Sequence, residues 1–257
     1  MSHISFSALK VWNDCPYKFK LIYQDEVKKF SGSEYTAFGT ALHEAAELKV
    51  QDDLVNEVEV FLNKFDSEIK ILKENASKVD EKLLTQMRKQ GEDLSKQIVP
   101  SLRNVFGEFK VLAAEEDIYE VIESVPEMNY SFKGFIDLII QTPDNKIHII
   151  DWKSCAWGWD AKKKSDAMTT YQLTFYKHFY AKKHNIDPKN IETYFALLKR
   201  TPKKDNVEIF RVTSGAIKTK NAFNLLEKAL YNIKVGMFPK NKLSCKNCEF
   251  KNTVECP

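Results

Sequence analysis

Two apolar stretches, "MNYSFKGFIDLII" (128–140) and "KIHIIDWKS" (146–154), are separated only by "QTPDN". Their alternating or continuous apolarity predicts two strands. Pro143, Asp144 and Asn145 between them are turn formers: proline pre-sets its backbone angle, and Asp and Asn side chains bond to nearby backbone. The pair is therefore expected as a hairpin, and the hairpin carries charge where a buried strand should not. A turn centred on Asp144 sets Asp137 opposite Asp151, with Cβ atoms ~4.5–5.5 Å apart. Lys153 shares the face of Asp151.

Two carboxylates so placed repel by about 4 kcal/mol at ~4 Å and an effective dielectric of ~20. A divalent cation between them reverses that sign, whereas Lys153 offsets only part of it. Asp, Asp and Lys at a sheet edge thus suit a hard metal such as Mg²⁺ or Mn²⁺ and phosphoryl chemistry. Lys153 would orient a water or neutralise charge growing on a phosphate. The competing reading is a surface hairpin with an ordinary Asp–Lys pair.

Helical periodicity is expected over 6–24, 38–50, 168–184 and 215–235, and over most of 54–110, with breaks near 75–80 and at Pro100. Residues 51–110 form a helical insertion or arm in this reading. "VLAAEEDIYEVI" (111–122) reads as one strand or two, and 191–200 and 207–213 as strands around "TPKKDN". The sum is an α/β chain with a helical N-terminal part and a small, mostly antiparallel sheet.

The chain has 257 residues, 43% hydrophobic, enough for a sizeable core. A net charge of +3 permits a nucleic-acid binder only through local basic patches. No apolar run approaches the ~18 residues of a membrane span, and "MSHISFSALKVW" has no signal-peptide pattern, so a cytoplasmic protein is expected. Of five cysteines, Cys245, Cys248 and Cys256 follow a C-x2-C-x7-C pattern. In a reducing compartment such a cluster points to metal. Three thiolates need a fourth ligand to close a zinc or 4Fe–4S site, and Cys15 can supply it. Cys155 is left over as a buried apolar thiol.

Gly39 and His43 in "GTALH", Gly134 and Asp137 in "GFID", "DWKS", and Gln172 and Tyr176 in "YQLTFY" follow one another in a familiar order. Together they resemble the PD-(D/E)XK nuclease superfamily, specifically its RecB/AddB-like branch, which includes the CRISPR-associated RecB-like exonucleases. The resemblance covers most of the chain. It implies one RecB-like domain over 1–257, with a restriction-endonuclease-like core: a small mixed sheet flanked by helices. It implies that His43, Asp137 and Asp151 bind metal, with the backbone carbonyl of Trp152, and that Lys153 is catalytic. Gln172 and Tyr176 would face the active site or the DNA strand, and Glu115 or Glu116 would add an acid. It implies a 4Fe–4S cluster on Cys15, Cys245, Cys248 and Cys256, joining the tail 240–257 to Cys15, with structural Zn²⁺ as the alternative.

"AKKKS" with Lys162, Lys163 and Lys164, and "KRTPKK" with Lys199 and Arg200, are candidate DNA contacts. Trp152, Trp157 and Trp159 nearby could stack unpaired bases. Lysine runs are otherwise solvated loops. The function expected is a metal-dependent DNA nuclease, exonucleolytic on single strands or DNA ends, in repair, recombination or processing. The alternative is a catalytically weak DNA-binding or accessory subunit of a larger DNA-processing or CRISPR-adaptation complex.

Overall fold

The computed structural model describes residues 2–27, 32–75 and 78–257, the side chain of Asn247 excepted. The elements are β1 (Ser2–Ser5), α1 (Phe6–Asp14), α2 (Pro16–Tyr23), α3 (Glu34–Gln51), α4 (Glu57–Glu74), α5 (Glu81–Phe106), β2 (Lys110–Val121), β3 (Tyr130–Gln141), β4 (Ile147–Cys155), α6 (Ala161–Ser165), α7 (Ala167–Lys183), β5 (Ile191–Lys199), β6 (Val207–Val212) and α8 (Ala216–Lys234). The strands form one sheet in the order β1-β3-β4-β5-β6, with β2 also on β3. The chain divides into two compact units, one of Ser31–Glu116 and Phe135–Ser214, the other of Met1–Phe30, Asp117–Gly134 and Gly215–Pro257.

In the first unit the hairpin has the register of a turn centred on Asp144: Leu138 pairs with Ile150 and Gln141 with Ile147. The turn closes through Thr142 N donating to Lys146 O at 3.0 Å, and Asn145 takes the left-handed φ of 63° that asparagine tolerates. β5 runs parallel to β4, from Ile147–Ile191 to Cys155–Lys199, and β6 is antiparallel to β5. The sheet is thus mixed rather than mostly antiparallel. The reason lies in α7: a helix between two strands gives the long crossover that parallel neighbours need. β4, flanked on both edges, is buried from Ile147 through Trp152, as a central strand must be.

Helices α3, α4 and α5 share a core with the strands. Ala41, Ala45 and Ala46 make one face of α3 shallow, and Phe61, Phe65, Met87 and Leu94 fill the space against Leu138, Ile150, Trp152 and Leu198. The segment 51–110 is therefore part of this core and not a projecting arm. Gly91 makes the α4–α5 contact possible: a Cβ there would lie 1.9 Å from the Phe61 ring. The break near 75–80 is present, but Pro100 does not end α5, which continues to Phe106. A proline inside a helix costs about 3 kcal/mol. Burial of Ile98, Val99 and Leu102 around it offsets that cost.

In the second unit β1 lies parallel to the first residues of β3, from Ser2–Tyr130 to Ser5–Lys133. The helix expected over 6–24 is two. Cys15 is extended (φ −161°), the conformation forced on a residue preceding proline, and Pro16 then starts α2. The tail returns to this break. Asn241 Nδ2 and Ser244 Oγ donate to Asp14 O at 2.8 and 2.6 Å, Asn241 N donates to Cys15 Sγ at 3.3 Å, and Tyr17 Oη donates to Glu255 O at 3.0 Å. Among the described residues no helix is long and apolar enough to cross a membrane.

Candidate active site

The β3–β4 ladder stops at Leu138–Ile150, one pair short of the two aspartates. Beyond it Asp137 turns its carboxylate onto the neighbouring backbone: Oδ2 accepts from Trp152 N at 2.7 Å. The expected face-to-face pair is thus opened, and the side chains are held by unlike partners. Asp137 Oδ1 faces His43 Nδ1 at 3.6 Å, and Asp151 Oδ2 faces Lys153 Nζ at 2.5 Å. The sequence supplies this locally. Gly39 lets α3 press on β4, since a Cβ there would stand 3.0 Å from Ser154 Oγ, and His43 follows one turn later.

Environment separates the two carboxylates. Burial pushes Asp151 up to about 6, against the pull of Lys153 and with the push of Asp137. Burial acts likewise on Asp137, but the His43 hydrogen bond and charge, Lys153 and the Trp152 N–H together hold it below the usual range. Burial disfavours the His43 cation, yet Asp137 raises it overall. Lys153, also disfavoured by burial, is raised by Asp151 and Asp137 and stays charged. Apart from Lys153, Asp151 Oδ2 has no hydrogen-bond partner among the described residues. A buried, underbonded carboxylate beside a second carboxylate supplies hard oxygen donors that fit Mg²⁺ or Mn²⁺, with an imidazole as a softer neighbouring donor. Among the described residues, however, no three His, Cys, Asp or Glu side chains already converge at metal-holding distance.

On α7, Gln172 Nε2 donates to Tyr176 Oη at 3.1 Å, as i and i+4 neighbours can. Burial raises the Tyr176 phenol, and the charges of Asp151 and Asp137 add to the effect. Glu116 is engaged elsewhere, with Lys183 Nζ at 2.7 Å and His184 Nε2 at 3.0 Å. Glu115 has a left-handed φ of 51° and adds to the field on Glu47. Glu47 was not singled out by the sequence reading. Its carboxyl is raised by burial, then by Glu115, Glu44 and Asp137. The i, i+4 spacing of His43 and Glu47 was the available signal.

The basic residues divide. Lys199 is only 8% exposed, its Nζ 3.4 Å from Glu208, and Lys164 forms an ion pair with the same carboxylate. The single Glu208 carboxylate pairs with both lysines and offsets one of their two positive charges. Lys163 lies over Trp159 at 4.6 Å, and Arg200 over Tyr35 at 4.9 Å. Lys162 is exposed. Trp152 is 1% exposed and belongs to the core, so it cannot stack on a base. Trp159 packs edge-on against Phe195 at 5.1 Å, whereas Trp157 is 75% exposed.

Cys15, Cys245, Cys248 and Cys256 all line one pocket of about 520 Å³ in the second unit, and all are free thiols. Donor type and convergence suit a metal or cluster, although among the described residues the thiols do not form a closed group. Cys155 lies outside this pocket, and burial raises its thiol.

The mixed sheet thus carries two aspartates and a lysine where its central hairpin opens. A family profile described as the PD-(D/E)XK nuclease superfamily matches residues 3–253, and the chain belongs to that superfamily. Among solved structures it is similar to a proposed exonuclease from Eubacterium rectale, with a TM-score of 0.59 and 12% identity over 98% of this chain and 91% of that one. The protein SSO0001 aligns with a TM-score of 0.39 and 16% identity over 91% of each chain. No curated protein sequence matches the chain.

Proposed function

We propose that the protein is a metal-dependent DNA nuclease of the RecB/AddB-like kind, acting as an exonuclease on single strands or DNA ends in repair, recombination or processing. The observation that carries this reading is the two adjacent pairs, His43 with Asp137 and Asp151 with Lys153, where β3 and β4 part. His43, Asp137 and Asp151, with the Trp152 carbonyl, would hold Mg²⁺ or Mn²⁺. The bound ion would supply an acidified water and a Lewis acid. Lys153, kept charged by Asp151, donates hydrogen bonds to the phosphate as negative charge builds on it. Asp137, anchored on the Trp152 N–H, keeps its remaining oxygen aimed at the site. Tyr176 and Gln172 limit water on the α7 side and orient the strand.

In the same reading Cys15, Cys245, Cys248 and Cys256 hold a 4Fe–4S cluster, with Zn²⁺ as the alternative. Their placement around one pocket supports it. End-labelled single- and double-stranded DNA incubated with Mg²⁺, Mn²⁺ or EDTA tests the proposal. Metal-dependent shortening from an end is expected. Absence of cleavage with either metal, by protein carrying its full metal complement, overturns it.

A further inference from the structure

Trp157 and Tyr35 are the most exposed aromatic side chains near the site, at 75% and 53%. Neither is a loose surface residue. Trp157 lies two residues past the end of β4, and its approach is fixed: Arg200 N donates to Cys155 O at 3.0 Å, and Thr201 N to Ala156 O at 2.8 Å. Gly158, just beyond, has a φ of 113° and passes 3.2 Å (as a virtual Cβ) from the Lys199 stem, so the Lys199–Glu208 pair floors the loop. The indole itself makes no ring contact or hydrogen bond with the described residues. The side chain of Arg200, whose backbone braces this loop, lies over the Tyr35 ring at 4.9 Å.

Tyr35, Gly39 and His43 fall at four-residue intervals along α3, one above another. Gly39 marks the contact with Ser154, and His43 the contact with Asp137. At 1.5 Å per residue, Tyr35 is ~12 Å from His43 along the helix. That is about three stacked nucleotides at ~3.4 Å each. An exposed indole and an exposed tyrosine that carries a guanidinium over its ring suit unpaired bases, because every base has a face to stack and every nucleotide a phosphate to pair with Arg. A closed duplex stacks its bases on one another and offers no free base face to such rings.

We propose that Trp157, Arg200 and Tyr35 form a stacking platform that holds single-stranded DNA about three nucleotides from the scissile phosphate. This rests on the nuclease reading for its register but not for its binding. The test is anisotropy of dye-labelled single-stranded and blunt duplex DNA in EDTA, with wild type, Trp157→Ala, Tyr35→Ala and Trp157→Phe. Each alanine variant is expected to weaken single-strand binding about tenfold. Duplex binding and the thermal midpoint should not change, and Trp157→Phe should restore most of the affinity. Unchanged single-strand affinity, equal loss on both DNAs, or no single-strand binding by the wild type overturns the platform. If the pattern holds but no metal supports cleavage, the nuclease reading falls and the platform stands. If cleavage is metal-dependent and the alanine variants bind normally, the reverse holds.

Discussion

Lys153 Nζ stands 2.5 Å from Oδ2 of an Asp151 that is 1% exposed, so the ammonium and the carboxylate each depend on the other for their charge. The pair sits at the end of the central strand, two residues apart on one face.

Asp137→Ala, Asp151→Ala and Lys153→Ala are each expected to lower cleavage by at least about 100-fold, the scale for removing one positioned electrostatic group. Circular dichroism should show the fold retained. Cleavage at the wild-type rate in any of the three would remove that residue from the chemistry.

Glu208 pairs with both Lys164 and the nearly buried Lys199. Burial raises its carboxyl, but the two lysines outweigh burial and hold it low. A depressed carboxylate stabilises the fold above its ordinary value near 4.5, and the gain disappears as pH falls through the lower folded value. Glu208→Gln should therefore cost roughly 0.5–1 kcal/mol at neutral pH, because solvent screens a carboxylate that is a third exposed. The gap from wild type should close in acid below that folded value, as read from urea midpoints across pH. A gap independent of pH would assign the loss to packing.

Gly91→Ala should destabilise by about 1–3 kcal/mol although alanine is the better helix former, because the new methyl enters the Phe61 ring. An added Phe61→Leu substitution should recover part of the loss. A stabilised Gly91→Ala protein in chemical denaturation would mean that α4 and α5 yield easily.

Anaerobically purified protein should be brown, with about four irons per chain if four thiolates hold one 4Fe–4S cluster. Cys248→Ser should lose colour and solubility, and Cys155→Ser should keep both, since Cys155 lies outside the cysteine pocket. Colourless protein with one tightly bound zinc would replace the cluster with zinc.

The hairpin was legible because its signals are local: turn residues fix the register, and the apolar runs fix the strands. The opening at Asp137 was not. It arises from a side chain competing for the Trp152 N–H, which no periodicity records. Pro100 misled because packing around Ile98 and Leu102 overrides a local breaker. The ion pairs of Lys164 and Lys199 were not legible, because Glu208, on another strand, cannot be placed from sequence spacing alone. The parallel β4–β5 pairing follows from α7 between them and could have been drawn from the crossover length.

The second unit is assembled from three separated segments, Met1–Phe30, Asp117–Gly134 and Gly215–Pro257. On the ribosome, α1 and α2 emerge well before α8 and the tail and can meet them only after roughly 200 further residues have been made. At ~5–20 residues per second that delay is about ten seconds or more. Meanwhile Leu9, Trp12 and Phe19, buried in the finished protein, remain uncovered. The intervening unit, 31–214 apart from its excursion at 117–134, can condense during that wait. Nascent chains halted before residue 215 should therefore engage chaperones through their first helices, and release should coincide with synthesis of the cysteine tail.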